Sequence, residues 1–366
     1  MNESIKLPFY AKLTCILLIL ICISVIIYIG SNIITPVMLA FLFTVLLLPI
    51  HTFLYTKLRF PTYLASFVTV VIFVLSIATI LTFISYQIND IADDFDIIKK
   101  NAVSFFNNAQ SYINEKFQIS IWEQKKYIEK VTHDSVQNGT GTIGAAIGSL
   151  SDVLFDSMLV VVFTFLFLLY KTHFILFLAK LFRHENHAKL KEIITQVKIS
   201  INNYILGLIF EMFVVSILTG LGLWIIGVKY FILLGLITGI LNLIPYIGIM
   251  IAGILTVLSS LTATPEISIF LSILIVNIIV QLIDNNILVP LIINSNVEIN
   301  AFVSIIGIIL GGSVAGIAGM FLAIPLLAIL KIIFDRIEPL EPWGYLMGNH
   351  MPKKFSWRIR KLKTEN

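Results

Sequence analysis

LSILIVNIIVQLIDNNILVPLI, residues 271–292, and AFVSIIGIILGGSVAGIAGMFLAIPLLAILKIIF, residues 301–334, decide how the rest of the chain is read. In the first, Asn277, Gln281, Asp284 and Asn285 follow one another at intervals of four, three and one. On a helix that spacing aligns them along a single face of a segment otherwise built from Ile, Leu and Val. In the second, Gly307, Gly311, Gly312, Gly316 and Gly319 strip side chains from one side of a helix, and Pro325 removes a backbone donor near its end. A polar seam and a glycine-rich surface inside runs this apolar do not describe a soluble core.

Composition sets the class. Hydrophobic residues make up 58% of the chain and charged residues 13%, with a mean hydropathy of +0.97. A soluble domain carries about 25% charge, so an integral membrane protein is expected. The formal charge of +4 sits mainly in loops and the tail, where it bears on topology and not on a nucleic-acid partner. Cys15 and Cys22 share the first apolar run and read as packing residues. The six histidines form no metal-ligand pattern, and no glycine-rich loop carries the Lys and Ser/Thr that would hold a nucleotide phosphate. No metal or cofactor is expected, nor is ATP-driven transport by this chain alone. A membrane-embedded enzyme would need a nucleophile and base near the water interface, and no such arrangement is visible.

Outward from the opening stretch, the apolar runs predict an all-α polytopic protein of about eight transmembrane helices. The first runs from Leu13 to Ile29, and lacks a small-x-small cleavage pattern after it. Others cover about 37–50, 63–84, 153–170 and 205–226, a sixth starts at Phe231, and the opening stretch supplies the last two. Residues 1–85 hold three helices. Residues 86–150 differ, with eight acids and six lysines among apolar residues spaced at three and four, which predicts amphipathic helices outside the hydrocarbon core. Residues 138–150, NGTGTIGAAIGSL, read as a flexible return to the membrane. Residues 151–335 complete the transmembrane part as a transport core, and 336–366 form a basic tail. Lys171, Lys180, Arg183, Lys189, Lys191 and Lys198 make the strongest positive cluster between apolar runs, placing that connection, the tail and both termini in the cytoplasm and 86–150 outside. The tail is suited to touching anionic lipid.

Two further features point to transport. In LGLITGILNLIPYIG, residues 234–248, Asn242 and Pro245 interrupt an apolar helix and free a backbone carbonyl, which is either a packing kink or a coordinating break. Glu211 and Asp284 are carboxyl groups inside apolar runs, where a charge needs water, a partner or the protein interior. Each is a candidate proton carrier, with a structural hydrogen bond as the competing role. The expected substrate path lies between the Asn242 and Pro245 break and the face of Asn277, Gln281, Asp284 and Asn285. The glycine surface, ending at Pro325, is expected to bring helices close, within one protomer or between protomers.

LGLITGILNLIPYIG, QLIDNNILVPLI at 281–292 and GGSVAGIAGMFLAIPLLAIL at 311–330 together resemble the autoinducer-2 exporter family, also called the AI-2E or PerM-like permeases. The layout is similar over nearly the whole chain. Related sequences often carry a proline shortly after the VPLI motif, where this chain has Ala301. The resemblance implies a secondary permease of the bacterial cytoplasmic (inner) membrane, exporting a small polar solute such as the quorum-sensing signal autoinducer-2. Other members look like sodium or lithium extruding proton antiporters, so a monovalent cation and coupling to protons or sodium form the alternative. The resemblance also implies a homo-oligomer, with a pentamer favoured. A membrane scaffold organised by 86–150 is the remaining reading without transport.

Overall fold

Long runs of Leu, Ile, Val and Phe can satisfy their backbone groups in lipid only by closing hydrogen bonds within each segment, so they form helices. The computed structural model describes residues 8–118, 120, 122, 141–243, 252–253, 256–257, 267–293 and 299–349. Every regular element among them is helical. In order these are α1 (Phe9–Ile29), α2 (Ser31–Thr56), α3 (Thr62–Asp93), α4 (Phe95–Phe117), α5 (Gly141–Leu169), α6 (Lys171–Leu181), α7 (His187–Ile225), α8 (Phe231–Asn242), α9 (Ile267–Ile283), α10 (Val289–Ile293), α11 (Ala301–Phe334) and α12 (Glu341–Met347). A π turn, Asp284–Leu288, joins α9 to α10. Buried threonines such as Thr44, Thr69, Thr164 and Thr256 return their hydroxyl protons to the carbonyl four residues earlier, so they sit inside the bundle without an outside partner.

The expectation of about eight transmembrane helices is corrected. Among the described residues five helical stretches are long and apolar enough to cross a membrane, namely Ser31–Thr56, Thr62–Gln87, His184–Ile225, Ser268–Leu291 and Ala301–Phe334. A sixth arises only if Phe155–Leu169 and Lys171–Leu181, bent by 69° at their junction, count as one. The helix expected from Phe231 has 12 residues before it stops at Asn242, about 18 Å of a core about 30 Å thick. The apolar part of α1, Leu13–Ile29, falls among the shorter helices as well. Cys15 and Cys22 on it are exposed in the single chain, not packed within it.

α11 is long enough to cross but does not run straight. Ala315 and Gly316 leave helical geometry, with Gly316 at φ +55°, a conformation that glycine adopts without strain. The chain reverses there. Gly307 faces Leu327, Gly312 faces Met320, and a Cβ at Gly311 or Gly319 would run into the backbone of the other. The glycines therefore close a hairpin within one protomer, with arms at 301–314 and 317–334, roughly 21 and 27 Å long. Both ends of the hairpin meet α12. The Asn300 side chain caps α11 by accepting from the Val303 amide at 2.9 Å and donates to the carbonyls of Leu346, at 2.6 Å, and Gly348, at 3.1 Å. Pro325 is buried on the returning arm.

α7 is the axis. At its start Glu192 accepts from Arg336, just past α11, at 3.0 Å. At its far end Lys229 and Tyr230 donate to Asp94, between α3 and α4, at 2.5 and 2.6 Å. Leu42 and Val45 of α2, Ile201 and Ile205 of α7 and Leu322 of α11 form one buried cluster, so the first half of α7 is held between α2 and the returning arm.

Two predictions follow from these contacts. In a background without Cys15 and Cys22, G307C/L327C should form an intramolecular disulfide on mild oxidation, detected by mass spectrometry of the protease-digested protein. A straight α11 would hold the pair about 30 Å apart and give none. At the far end of α7, hydrogen bonds from Lys229 and Tyr230 hold the Asp94 carboxyl below the usual aspartate range, and the same pairing raises Lys229. The Asp94 contribution is complete above about pH 3.9 and lost as pH falls through its depressed value; that of Lys229 is complete below about pH 10.4 and lost only above it. Spin labels at Val103 and Trp224 should accordingly report one distance near neutral pH that broadens on acidification, and a broad distribution at every pH in D94N.

Candidate functional site

α8 lies against α7 at backbone distance because two glycines one turn apart, Gly235 and Gly239, remove its side chains from the contact. A Cβ at Gly235 would meet the Ser216 carbonyl at 2.6 Å and Gly220 at 2.9 Å, and one at Gly239 would run into Ser216 and the Met212 carbonyl. Three residues beyond Gly239 the same face presents Asn242, and α8 ends. One turn before Ser216 on α7 stands Glu211, 7% exposed. The Asn242 Nδ2 donates to Glu211 Oε1 at 2.8 Å.

The second acceptor comes from α9. Asp284, 4% exposed, opens the π turn, and its Oδ2 accepts from the same Asn242 nitrogen at 3.3 Å. One neutral amide thus serves two carboxyl groups on two other elements, and its NH2 is the only part of the side chain with two protons to offer. Among the described residues Asp284 Oδ1 is buried with no hydrogen-bond partner. No Lys or Arg pairs with either carboxyl among the described residues. Val215, Val280 and Leu288 pack around the pair as a buried apolar cluster.

Beside Asp284 lies a cavity of about 20 Å³, taken as the space open to the centre of a water molecule, lined by Thr238, Asn242, Ala252, Asn277, Gln281 and Asp284 together with Val215 and Val280. That is room for about one water or a bare ion.

The residues singled out in the sequence divide accordingly. Glu211, Asn242 and Asp284 meet directly, and Asn277 and Gln281 line the adjoining cavity. Asn285 is exposed and accepts from Gln281 at 3.0 Å, while Asn286 turns back on the Leu282 carbonyl. The π turn that begins at Asp284 changes the helical repeat at this point. Pro245 lies outside the described residues. Gly307, Gly311, Gly312, Gly316, Gly319 and Pro325 belong to the hairpin. Sequence reasoning missed Thr238 in the lining and the π turn. Gly235 and Gly239, spaced one turn apart and followed by Asn242, were the signal for the contact with Glu211.

The chain as a whole is similar to known membrane proteins. The family model described as AI-2E family transporter matches residues 17–338. The candidate transport protein YrrI of Bacillus subtilis is 26% identical over 317 residues, covering 83% of this chain and 86% of its own. YueF of the same organism, also named as a candidate transport protein, is 35% identical over 120 residues, 33% of this chain and 32% of its own. The candidate permease PerM of Escherichia coli is 31% identical over 133 residues, 36% of this chain and 38% of its own.

If the Asn242 amide joins the two carboxyl groups, N242A should lower stability by about 1–3 kcal/mol, the range for buried acceptors losing a donor. E211Q brings an amide of its own and should recover part of that loss in the double variant. Thermal unfolding in mild detergent reads the coupling, and strictly additive losses would show that the three side chains act independently.

Proposed function

Because the chain belongs to the AI-2E transporter family, we propose that this secondary permease exchanges a monovalent cation for protons across the bacterial cytoplasmic membrane. The working groups in this reading are Glu211, Asn242 and Asp284. The observation that carries it is the pair of buried carboxyl groups on one neutral amide, with the second oxygen of Asp284 unpartnered among the described residues beside a cavity the size of an ion. Two carboxyl groups so placed need a counter-charge, and a proton or a small cation is what such a space admits. Competition between the two for one site couples their movements, since each is released as the other binds. Asn242 keeps the carboxyl groups together in either state, donating to whichever oxygen lacks a proton.

Export of a small polar solute such as autoinducer-2 is the second reading, supported by the amides of Asn242, Asn277 and Gln281 on the cavity wall. It requires the cavity to widen well beyond its present volume. In both readings the Lys-rich 171–198 connection and both termini face the cytoplasm; the Arg336 to Glu192 contact, which joins the start of the tail to the start of α7, supports placing those two on one side. A homo-oligomer, with a pentamer favoured, is part of the proposal by likeness to the family.

Purified protein in vesicles separates the readings. D284N keeps shape and hydrogen-bonding capacity but removes the titratable group. It should lower sodium- or lithium-driven proton exchange by about a hundredfold and abolish its pH dependence, the factor that accompanies a loss of about 3 kcal/mol. Unchanged cation exchange and pH response in both D284N and E211Q would refute the assignment. Autoinducer-2 flux that persists in D284N, with no cation exchange in the wild type, would establish the second reading.

A further inference from the structure

The elbow between α5 and α6 holds a second polar cluster that the carboxyl site does not use. His51 of α2 is 0% exposed. Lys171, the first residue of α6, places its Nζ 3.2 Å from His51 Nδ1, and His51 Nε2 lies 3.2 Å from Ser66 Oγ on α3. Ser66 Oγ in turn donates to the Thr62 carbonyl at 2.9 Å. A lysine ammonium only donates, so the imidazole accepts at Nδ1 and donates from Nε2, and the chain of donations ends on a backbone carbonyl. The neutral imidazole spends one ammonium proton and leaves the positive charge of Lys171 unbalanced.

Nothing in the described residues supplies the missing negative charge. The described ion pairs are Lys229 with Asp94, Lys331 with Asp335 and Arg336 with Glu192. Lys198 of α7 brings a second positive charge within electrostatic reach of Lys171. Among the described residues the other polar contact of the ammonium is the face of Tyr55, 5.9 Å from it. Two cations gathered without an acid make an anion site.

The setting says which anion. α6 leaves α5 at 69° and buries none of its residues in the protein, and Phe174 meets Phe167 across the bend at 5.3 Å between ring centroids. An apolar helix turned out of the bundle, with lysine at its first position, suits the boundary between acyl chains and headgroups. We propose that Lys171 and Lys198 bind the phosphate of one anionic phospholipid at this elbow, with its acyl chains lying over α6. The lipid completes the polar chain through His51 and Ser66 and fixes the angle at which α6 leaves α5.

Native mass spectrometry of the delipidated full-length protein, titrated separately with phosphatidylglycerol, phosphatidylcholine and inorganic phosphate, tests this. One phosphatidylglycerol per protomer should bind at least about tenfold more tightly than phosphatidylcholine, and K171Q and K198Q should each weaken it about fivefold. K171R should retain binding, and K180Q, at the other end of α6, should leave it unchanged. Because Lys198 is exposed, K198Q reads the site even where K171Q does not fold. Phosphatidylglycerol binding by K198Q equal to the wild type would overturn the proposal. So would inorganic phosphate that competes with the lipid at equal concentration, since that marks a free-anion site.

Discussion

The two buried carboxyl groups are joined through one amide. Asn242 can stand between Glu211 and Asp284 only because α8 lies on α7 backbone to backbone, and that contact exists only where Gly235 and Gly239 have no side chain. Any residue larger than glycine at 239 would have to displace Ser216 or the Met212 carbonyl, moving Asn242 away from its first acceptor. Close approach of this kind is how helices associate in lipid, where burial of apolar surface no longer favours contact and packing at small residues takes over. The polar groups then gain a partner each, which removes most of the several kcal/mol that an unpaired group would cost in that environment.

Around that contact the chain uses helices that do not simply cross. α8 stops at Asn242, α6 turns out of the bundle, and α11 reverses at Gly316 so that both its ends meet α12. Of these, α8 ends inside the protein, where its terminus and the neighbouring π turn present backbone and side-chain groups without exposing them to lipid. α7, at 39 residues the longest helix described, runs between them. Its two ends are tied by ion pairs, Glu192 with Arg336 and Lys229 with Asp94.

Much of the class was legible in the sequence and little of the geometry. The membrane environment follows from composition, because no soluble surface can be assembled from so few charges. Glu211 and Asp284 stood out as lone acids among Leu and Ile, yet a linear pattern cannot report that they share a donor, since that depends on the distance between three helices. The count of about eight went wrong for a related reason: hydropathy counts apolar residues and is blind to direction. It reads the short α1 and α8, and the run that ends at the elbow between α5 and α6, as full crossings. The polar seam from Asn277 to Asn285 assumed a uniform helix, and the π turn at Asp284 changes that repeat. His51 passed unremarked because a single histidine in an apolar run matches no metal pattern.

The proposed exchange has protons and a monovalent cation compete for the carboxyl groups held by Asn242. It is tested most directly by adding sodium or lithium to purified protein in weakly buffered detergent solution and following pH. Competition gives proton release that saturates at about one per protomer and disappears in the E211Q/D284N double variant. Cation addition that releases no protons from the wild type, or the same number from the double variant, would contradict it.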